Sequence, residues 1–192
     1  LDGECQWMTA GSGIIHQEMP KPSNRMLGVQ LWLNLPAKDK MVAPQYNGIE
    51  KGDIPVIDEG ERKIHIIAGT YNGKAGAIEG NYVKPLYLDV EMNPDTEWSL
   101  AIDQDATLFI YILQGDGSFD PAKDQFISEK HAILFNKGNK FIVRTADSGI
   151  RFLLMAGKPL KEPIAWGGPI VMNTREELDL AFKELDENQF IK

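Results

Sequence analysis

Apolar and polar residues alternate along several stretches of the chain. From Leu27 to Leu35 every second residue is apolar, and Leu86–Met92 shows the same alternation. A period of two is typical of a β-strand that turns one face toward a core. We predict further strands at Lys63–Ala68, Thr107–Leu113, His131–Phe135, Lys140–Thr145 and Ile150–Ala156. Turns are predicted between them, at Gly115–Gly117 and Lys137–Asn139. Short strands between glycine-rich turns indicate an antiparallel all-β sandwich or barrel.

Two stretches depart from this rhythm. Residues 36–61 are rich in proline and glycine and show little periodicity, so we predict a linker there. Near the C-terminus Thr174 precedes Glu177 by three residues, which is the spacing of a helix capping box. The apolar residues that follow have helical spacing: Leu178, Ala181, Phe182 and Leu185. The sequence therefore predicts one short amphipathic C-terminal helix.

The composition narrows the classes of function. The 192 residues carry a net charge of -8, and an acidic surface disfavours direct binding to nucleic acid or to anionic membranes. The single cysteine, Cys5, excludes an internal disulfide framework and indicates a reducing compartment; we interpret it as a small buried thiol. No apolar run approaches the length of a membrane span. We expect a cytoplasmic protein, present in the nucleus as well if the organism is eukaryotic.

The sharpest candidate for chemistry is the pair His16 and Glu18. On a strand these residues would project from the same face, and an imidazole with a carboxylate suits a borderline metal such as Fe(II). An ordinary polar pair has the same pattern, so the residues alone leave both interpretations open. We interpret His65 and His131 as structural residues of their strands. The chain has no nucleophile elbow, phosphate loop, Cys-x-x-Cys pair or dinucleotide fingerprint.

Large aromatic residues are weaker candidates. Trp7, Met8 and Trp32 are candidates to line a cavity, but large apolar residues in strands usually belong to a core. Trp98 and Trp166 have polar or glycine-rich neighbours, and we interpret them as loop anchors in preference to exposed binding residues.

Several blocks of the sequence resemble signature blocks of the pirin family. The first and most specific block is Gln6–Pro20, which contains His16 and Glu18. The others are Leu31–Leu35, Lys40–Tyr46, Gly157–Pro163 and Gly168–Thr174. Because the blocks occur in the family's order, the resemblance covers essentially the whole chain.

The resemblance implies a bicupin, with two antiparallel β-barrels in tandem and a mononuclear metal, usually iron, in the first barrel. In the family three histidines and one glutamate hold this metal, and His16 and Glu18 match the second pair of those ligands. The first pair is a His-x-His motif that precedes the first block, and this sequence contains no His-x-His. We therefore expect half of the metal site in residues 1–35, as the remnant of an incomplete first barrel. Residues 62–192 are expected to form a complete, metal-free cupin barrel with the C-terminal helix.

The resemblance also implies a choice of functions. One is a quercetin 2,3-dioxygenase-type oxidoreductase, in which iron or another divalent metal binds a flavonol-like small molecule and Glu18 is the catalytic residue that takes up its proton. Another is an iron-dependent transcriptional coregulator that binds a regulatory protein. A third is a truncated homologue without activity. In each case we expect a monomer, and two ligands should hold the metal loosely.

Overall fold

The computed structural model describes residues 3–123 and 125–191 of the chain. These residues form mainly β-strands, connected by turns and followed by one α-helix. In chain order the elements are β1 (Cys5–Thr9), the 3-10 helix η1 (Ala37–Asp39), β2 (Gln45–Ile49), the 3-10 helix η2 (Lys51–Asp53), β3 (Val56–Asp58), β4 (Arg62–Ala68), β5 (Thr70–Tyr71), β6 (Lys74–Ala75), β7 (Leu86–Met92), β8 (Glu97–Ala101), β9 (Thr107–Ser118), β10 (Ile127–Ser128), β11 (Ala132–Leu134), β12 (Lys140–Gly157), β13 (Ala165–Gly167), β14 (Ile170–Met172) and α1 (Arg175–Asp186). The all-β fold with a short C-terminal helix is therefore confirmed.

The chain divides into two compact units. Unit 1 contains the residues up to Cys5 together with Ile49–Pro159, and unit 2 contains Gln6–Gly48 together with the residues from Leu160 onward. The sequence instead grouped the helix with the C-terminal barrel and treated residues 36–61 as a linker. In the structure those residues contain η1, β2, η2 and β3.

Unit 1 is built on an eight-stranded antiparallel sheet. The strand order is β10-β9-β12-β7-β4-β3, and β11 and β8 pair with β9 and β12 respectively. The predicted strands at Lys63–Ala68 and Leu86–Met92 correspond to β4 and β7, with Ile64 opposite Val90 in the register. The ladder runs from β10 to β3 without closing into a ring among the described residues, and a large apolar cluster packs against the sheet.

The longest strand, β12, joins two strands that the sequence predicted separately. Its first half pairs with β8, and from Ile150 onward it pairs with β7 on one side and β9 on the other. The register shifts between Thr145 and Ile150, so a bulge lies where the sequence placed a break. The predicted turn at Gly115–Gly117 is wrong, because these residues continue β9 beside that bulge. Gly115 has φ +72°, and a Cβ there would lie 2.1 Å from the carbonyl oxygen of Gly149. Glycine is required by this close approach of two backbones.

Aromatic rings fill the core of unit 1. Phe141 and Phe152 are fully buried, and the ring of Trp98 lies 5.7 Å from that of Phe141 and 6.3 Å from that of Phe152, between centroids. Phe119 and Phe135 complete the cluster from the loops after β9 and β11. Burial of such large apolar surfaces is the main source of stability for the sheet.

Unit 2 combines small elements from both ends of the chain. β1 and β2 form one two-stranded sheet, β13 and β14 form another, and α1 packs on the second through Leu178 and Ala181. The predicted capping box is confirmed: Thr174 Oγ1 accepts a hydrogen bond from Glu177 N, and Glu177 Oε2 accepts one from Thr174 N. No helix among the described residues has the length and apolar character needed to cross a membrane.

The strand predicted at Leu27–Leu35 is wrong. This segment has no regular secondary structure, and the side chains of Leu27, Val29 and Leu33 are exposed. A strand needs a neighbouring strand to satisfy its backbone groups, and no described residue forms a β-ladder with this segment. The alternation of apolar and polar residues therefore indicates which side chains another segment would cover. It does not show that a neighbouring strand is present.

Candidate functional site

His16 and Glu18 lie in unit 2, just after a tight turn that follows β1. In the turn Gly13 N–H donates to the Ala10 oxygen and Ser12 N–H donates to the Val42 oxygen, each at 2.9 Å. Gly11 has φ +51°, and a Cβ there would lie 2.0 Å from the Val42 oxygen, so only glycine fits. The turn fixes the backbone that leads directly into the candidate ligands.

The side chains of His16 and Glu18 converge, although the segment is not a strand. His16 Nε2 lies 3.9 Å from Glu18 Oε1, and the two side chains are 44% and 63% exposed. At this separation one ion can be reached by both groups, and the exposure leaves room for further ligands or water.

The donor pair fits a metal by its chemistry. A neutral imidazole nitrogen and a carboxylate oxygen are the ligand types of non-haem iron and related divalent sites. Among residues 3–123 and 125–191, no group of three or more His, Cys, Asp or Glu side chains is placed to hold a metal ion. The described part of the chain thus offers two protein ligands to such an ion.

The other two histidines lie in unit 1. His65 is in β4, opposite Asp89 of β7 in the register. His131 precedes β11, and its Nδ1 lies 3.0 Å from the carbonyl oxygen of Ser128. The core of unit 1 consists of aromatic and aliphatic side chains. The absence of a metal from the C-terminal cupin stays a prediction.

The tryptophans divide between the two units. Trp98 is 5% exposed and belongs to the core of unit 1 as part of β8, so its interpretation as a loop anchor is wrong. Trp166 is 70% exposed in β13, with its Nε1 donating to the Gly168 oxygen at 2.8 Å. Trp32 is 55% exposed in the irregular segment, so it is not a core residue of its unit.

One functional candidate was missed by the sequence reasoning. The side chain of Lys40 is only 7% exposed, and its Nζ donates to Asn34 Oδ1 and, at 2.7 Å, to the Leu35 oxygen. Burial lowers the pKa of Lys40, and the carboxylates of Glu162 and Glu177 act in the opposite direction. The available signal in the sequence was the position of Lys40 at the start of the block Lys40–Tyr46.

The fold of unit 1 is that of the cupin class of proteins. Residues 87–191 match the family model described as pirin C-terminal cupin domain, and residues 1–33 match the model described as pirin. The chain belongs to the pirin family.

Relatives with similar sequences support this membership. The chain is 40% identical, over 99% of its own length and 79% of the relative's, to a Thermoplasma acidophilum protein whose name gives quercetin 2,3-dioxygenase as a proposed activity. It is 37% identical to pirin from Homo sapiens, over 93% of this chain and 62% of that protein. Most of the curated relatives are thus longer than the chain, which spans 64% of pirin-1 from Arabidopsis thaliana at 36% identity.

A solved structure shows the same fold. The crystal structure of quercetin 2,3-dioxygenase from Acinetobacter baumannii superposes with a TM-score of 0.81 at 29% identity, covering 99% of this chain and 67% of that one.

Proposed function

We propose that this chain is a metal-binding pirin whose site uses His16 and Glu18, and that the complete site carries out quercetin 2,3-dioxygenase-type oxidation of a flavonol-like compound. The observation that carries the proposal is the convergence of His16 Nε2 and Glu18 Oε1 at 3.9 Å within the most specific family block. The names of the Thermoplasma and Acinetobacter relatives support the substrate class.

Each of the two residues has a distinct chemical role. His16 would ligate through a neutral imidazole nitrogen. Glu18 would ligate through a carboxylate, and its second oxygen would accept the proton of the flavonol hydroxyl. A bound iron supplies Lewis acidity and a template that orients the substrate. The exposure of both side chains keeps their outer face open to a small molecule.

The metal-binding part of the proposal can be tested on the chain itself. The chain has only three histidines, so each imidazole gives a separate NMR signal. Addition of Co²⁺, as a paramagnetic probe for Fe²⁺, should broaden or shift the His16 signal before those of His65 and His131. The variant Glu18→Gln should require about tenfold more Co²⁺ for the same effect, because an anionic ligand is lost. A uniform response of all three imidazoles would contradict the proposal.

The oxidative activity needs a separate measurement. Oxygen uptake with quercetin should be feeble, because two protein ligands hold iron loosely, and His16→Ala should abolish what remains. Equal uptake by the original chain and His16→Ala would remove the metal-centred mechanism. If the chain binds metal but shows no oxygen uptake with quercetin, it is the truncated homologue without activity.

A second candidate function is protein binding under the control of the iron redox state. It is favoured by the exposed apolar side chains of the segment that carries the ligand pair, among them Ile15, Met19 and Trp32. The dye 8-anilinonaphthalene-1-sulfonate, which reports exposed apolar surface, should bind differently to the Fe²⁺- and Fe³⁺-loaded chain. Identical dye fluorescence in both states would remove the redox-switch function.

A further inference from the structure

Lys40 is a largely buried residue that directly follows η1, in the same unit as His16 and Glu18. Its Nζ holds Asn34 Oδ1 and the Leu35 oxygen, so it closes the loop between the irregular segment and η1. Burial of a lysine is unfavourable unless its donors are satisfied and counter-charges are near. The two hydrogen bonds of Lys40 therefore hold the backbone of residues 34–40 in one conformation.

The same loop is bonded to the C-terminal part of unit 2. Ala37 N–H donates to Glu162 Oε2 at 2.7 Å, and Glu162 and Glu177 are the carboxylates that act on the Lys40 charge. Glu177 in turn accepts hydrogen bonds from the N–H groups of Asn173 and Thr174 at the start of α1. We call these bonded and charged groups the Lys40 cluster: Asn34, Leu35, Ala37, Lys40, Glu162 and Glu177. It joins residues 34–40 to residues 162–177.

A second contact reaches the ligand segment more directly. Gly13 has φ +130°, and a Cβ there would lie 2.6 Å from Phe190 Cε1. The ring of Phe190, which also packs against the core of α1, therefore lies directly on the backbone three residues before His16. The neighbouring Ser12 N–H is bonded to the Val42 oxygen, just beyond Lys40.

We propose that the C-terminal segment of unit 2 positions the His16–Glu18 pair, with Phe190 and Lys40 as its positioning residues. This inference rests on the proposed metal-binding function. The two ligands stand on a segment without regular secondary structure, so nothing in a ladder fixes their separation. The ring of Phe190 and the Lys40 cluster supply that support from two directions. Residues that orient metal ligands in this way typically contribute about 10- to 100-fold in metal affinity.

The test uses two variants and a matched control. Phe190→Ala removes the ring from Gly13, and Lys40→Met keeps most of the length of the side chain but removes the charged ammonium group. Leu180→Ala is the control, because Leu180 lies on α1 and is 55% exposed. Co²⁺ titrations followed at the His16 imidazole signal should show about tenfold weaker binding in the first two variants and unchanged binding in the control.

A second readout does not depend on the metal. The amides of Ser12 and Gly13 are hydrogen-bonded in the turn before His16. Their hydrogen exchange should become about tenfold faster in Phe190→Ala and Lys40→Met, while the amides of β7 and β12 keep their rates. A general acceleration in one variant would report lost folding, and the other variant would then decide the question.

The two readouts separate this inference from the proposed function. If Co²⁺ does not affect His16 in the original chain, the proposed metal site is wrong, and the amide exchange still tests the support of the turn. If His16 binds Co²⁺ equally in all variants, the positioning role is overturned. Unchanged exchange at Ser12 and Gly13 in both variants would also overturn it.

Discussion

Replacement of Phe141 by alanine should be among the most damaging changes to unit 1. Phe141 lies in β12 with an exposure of 1%. The centroid of its ring lies 5.3 Å from that of Phe135, 5.7 Å from Trp98 and 5.9 Å from Phe152. The ring of Phe141 thus lies at the centre of the aromatic cluster in the core of unit 1.

The expected loss follows from the buried surface and the ring contacts. A phenylalanine-to-alanine change in a core costs about 3–5 kcal/mol from transfer and cavity formation. Edge-to-face pairs contribute about 0.5–1.5 kcal/mol each beyond burial, so a value near the upper end, about 4–5 kcal/mol, is expected for Phe141→Ala. Phe141→Leu keeps most of the volume and should lose about 1–2 kcal/mol.

The free energy of unfolding would be measured by urea denaturation followed by far-ultraviolet circular dichroism. Phe126→Ala serves as the control, because Phe126 is 37% exposed and its ring centroid lies 5.4 Å from the guanidinium carbon of Arg144. The control should lose less than about 1 kcal/mol. If unit 1 is metal-free, as we predict, addition of EDTA should leave all the values unchanged. A loss below about 2 kcal/mol for Phe141→Ala, or a strong effect of EDTA on the sheet, would refute the reasoning.

Two further predictions concern a titrating tyrosine and the helix cap. Tyr71 donates to Glu59 Oε1 at 2.9 Å, and burial, with help from this bond, raises the pKa of Tyr71 from 10.0 to about 12. The folded protein keeps this proton at a pH where the unfolded chain loses it, so the unfolding free energy should fall as pH rises from 10 through about 12. Tyr71→Phe should make that fall shallower in urea titrations over the same range, and an unchanged slope would contradict the assignment. Thr174→Ala should cost about 1 kcal/mol by removing the bond to Glu177 N, whereas Thr174→Ser should cost much less; equal melting temperatures for the two variants would count against the capping box.

The alternation of apolar and polar residues was sufficient to predict strands whose partner strands are close in the sequence or strongly apolar. The alternation at Leu86–Met92 predicts β7, and the prediction is correct because β4 and β12 form ladders with its two edges. The same alternation at Leu27–Leu35 predicts a strand that has no ladder among the described residues. The periodicity of a segment indicates which of its side chains prefer an apolar environment. Whether the segment becomes a strand depends on a second segment that can form a β-ladder with it.

Glycines and contacts between residues far apart in the sequence explain the remaining differences between the predictions and the structure. The glycines at Gly115 and Gly117 predict a turn, but Gly115 is needed where its backbone approaches that of Gly149. In the candidate site, the pair His16 and Glu18 could be predicted from a block of adjacent residues. The burial of Lys40 could not, because its counter-charges lie on Glu162 and Glu177, far along the chain.

The 18-residue strand β12 also sets the order in which unit 1 can be completed during synthesis. It supplies the ladder partners of β7, β8 and β9, and all three of these strands precede it in the chain. Until the ribosome has released residues as far as Gly157, β7 and β9 therefore have no central neighbour and their apolar faces stay accessible to water and to chaperones. Stalling of translation before β12 has left the ribosome would leave an aggregation-prone nascent chain, whereas a chain that has emerged beyond Gly157 can bury the aromatic cluster of unit 1.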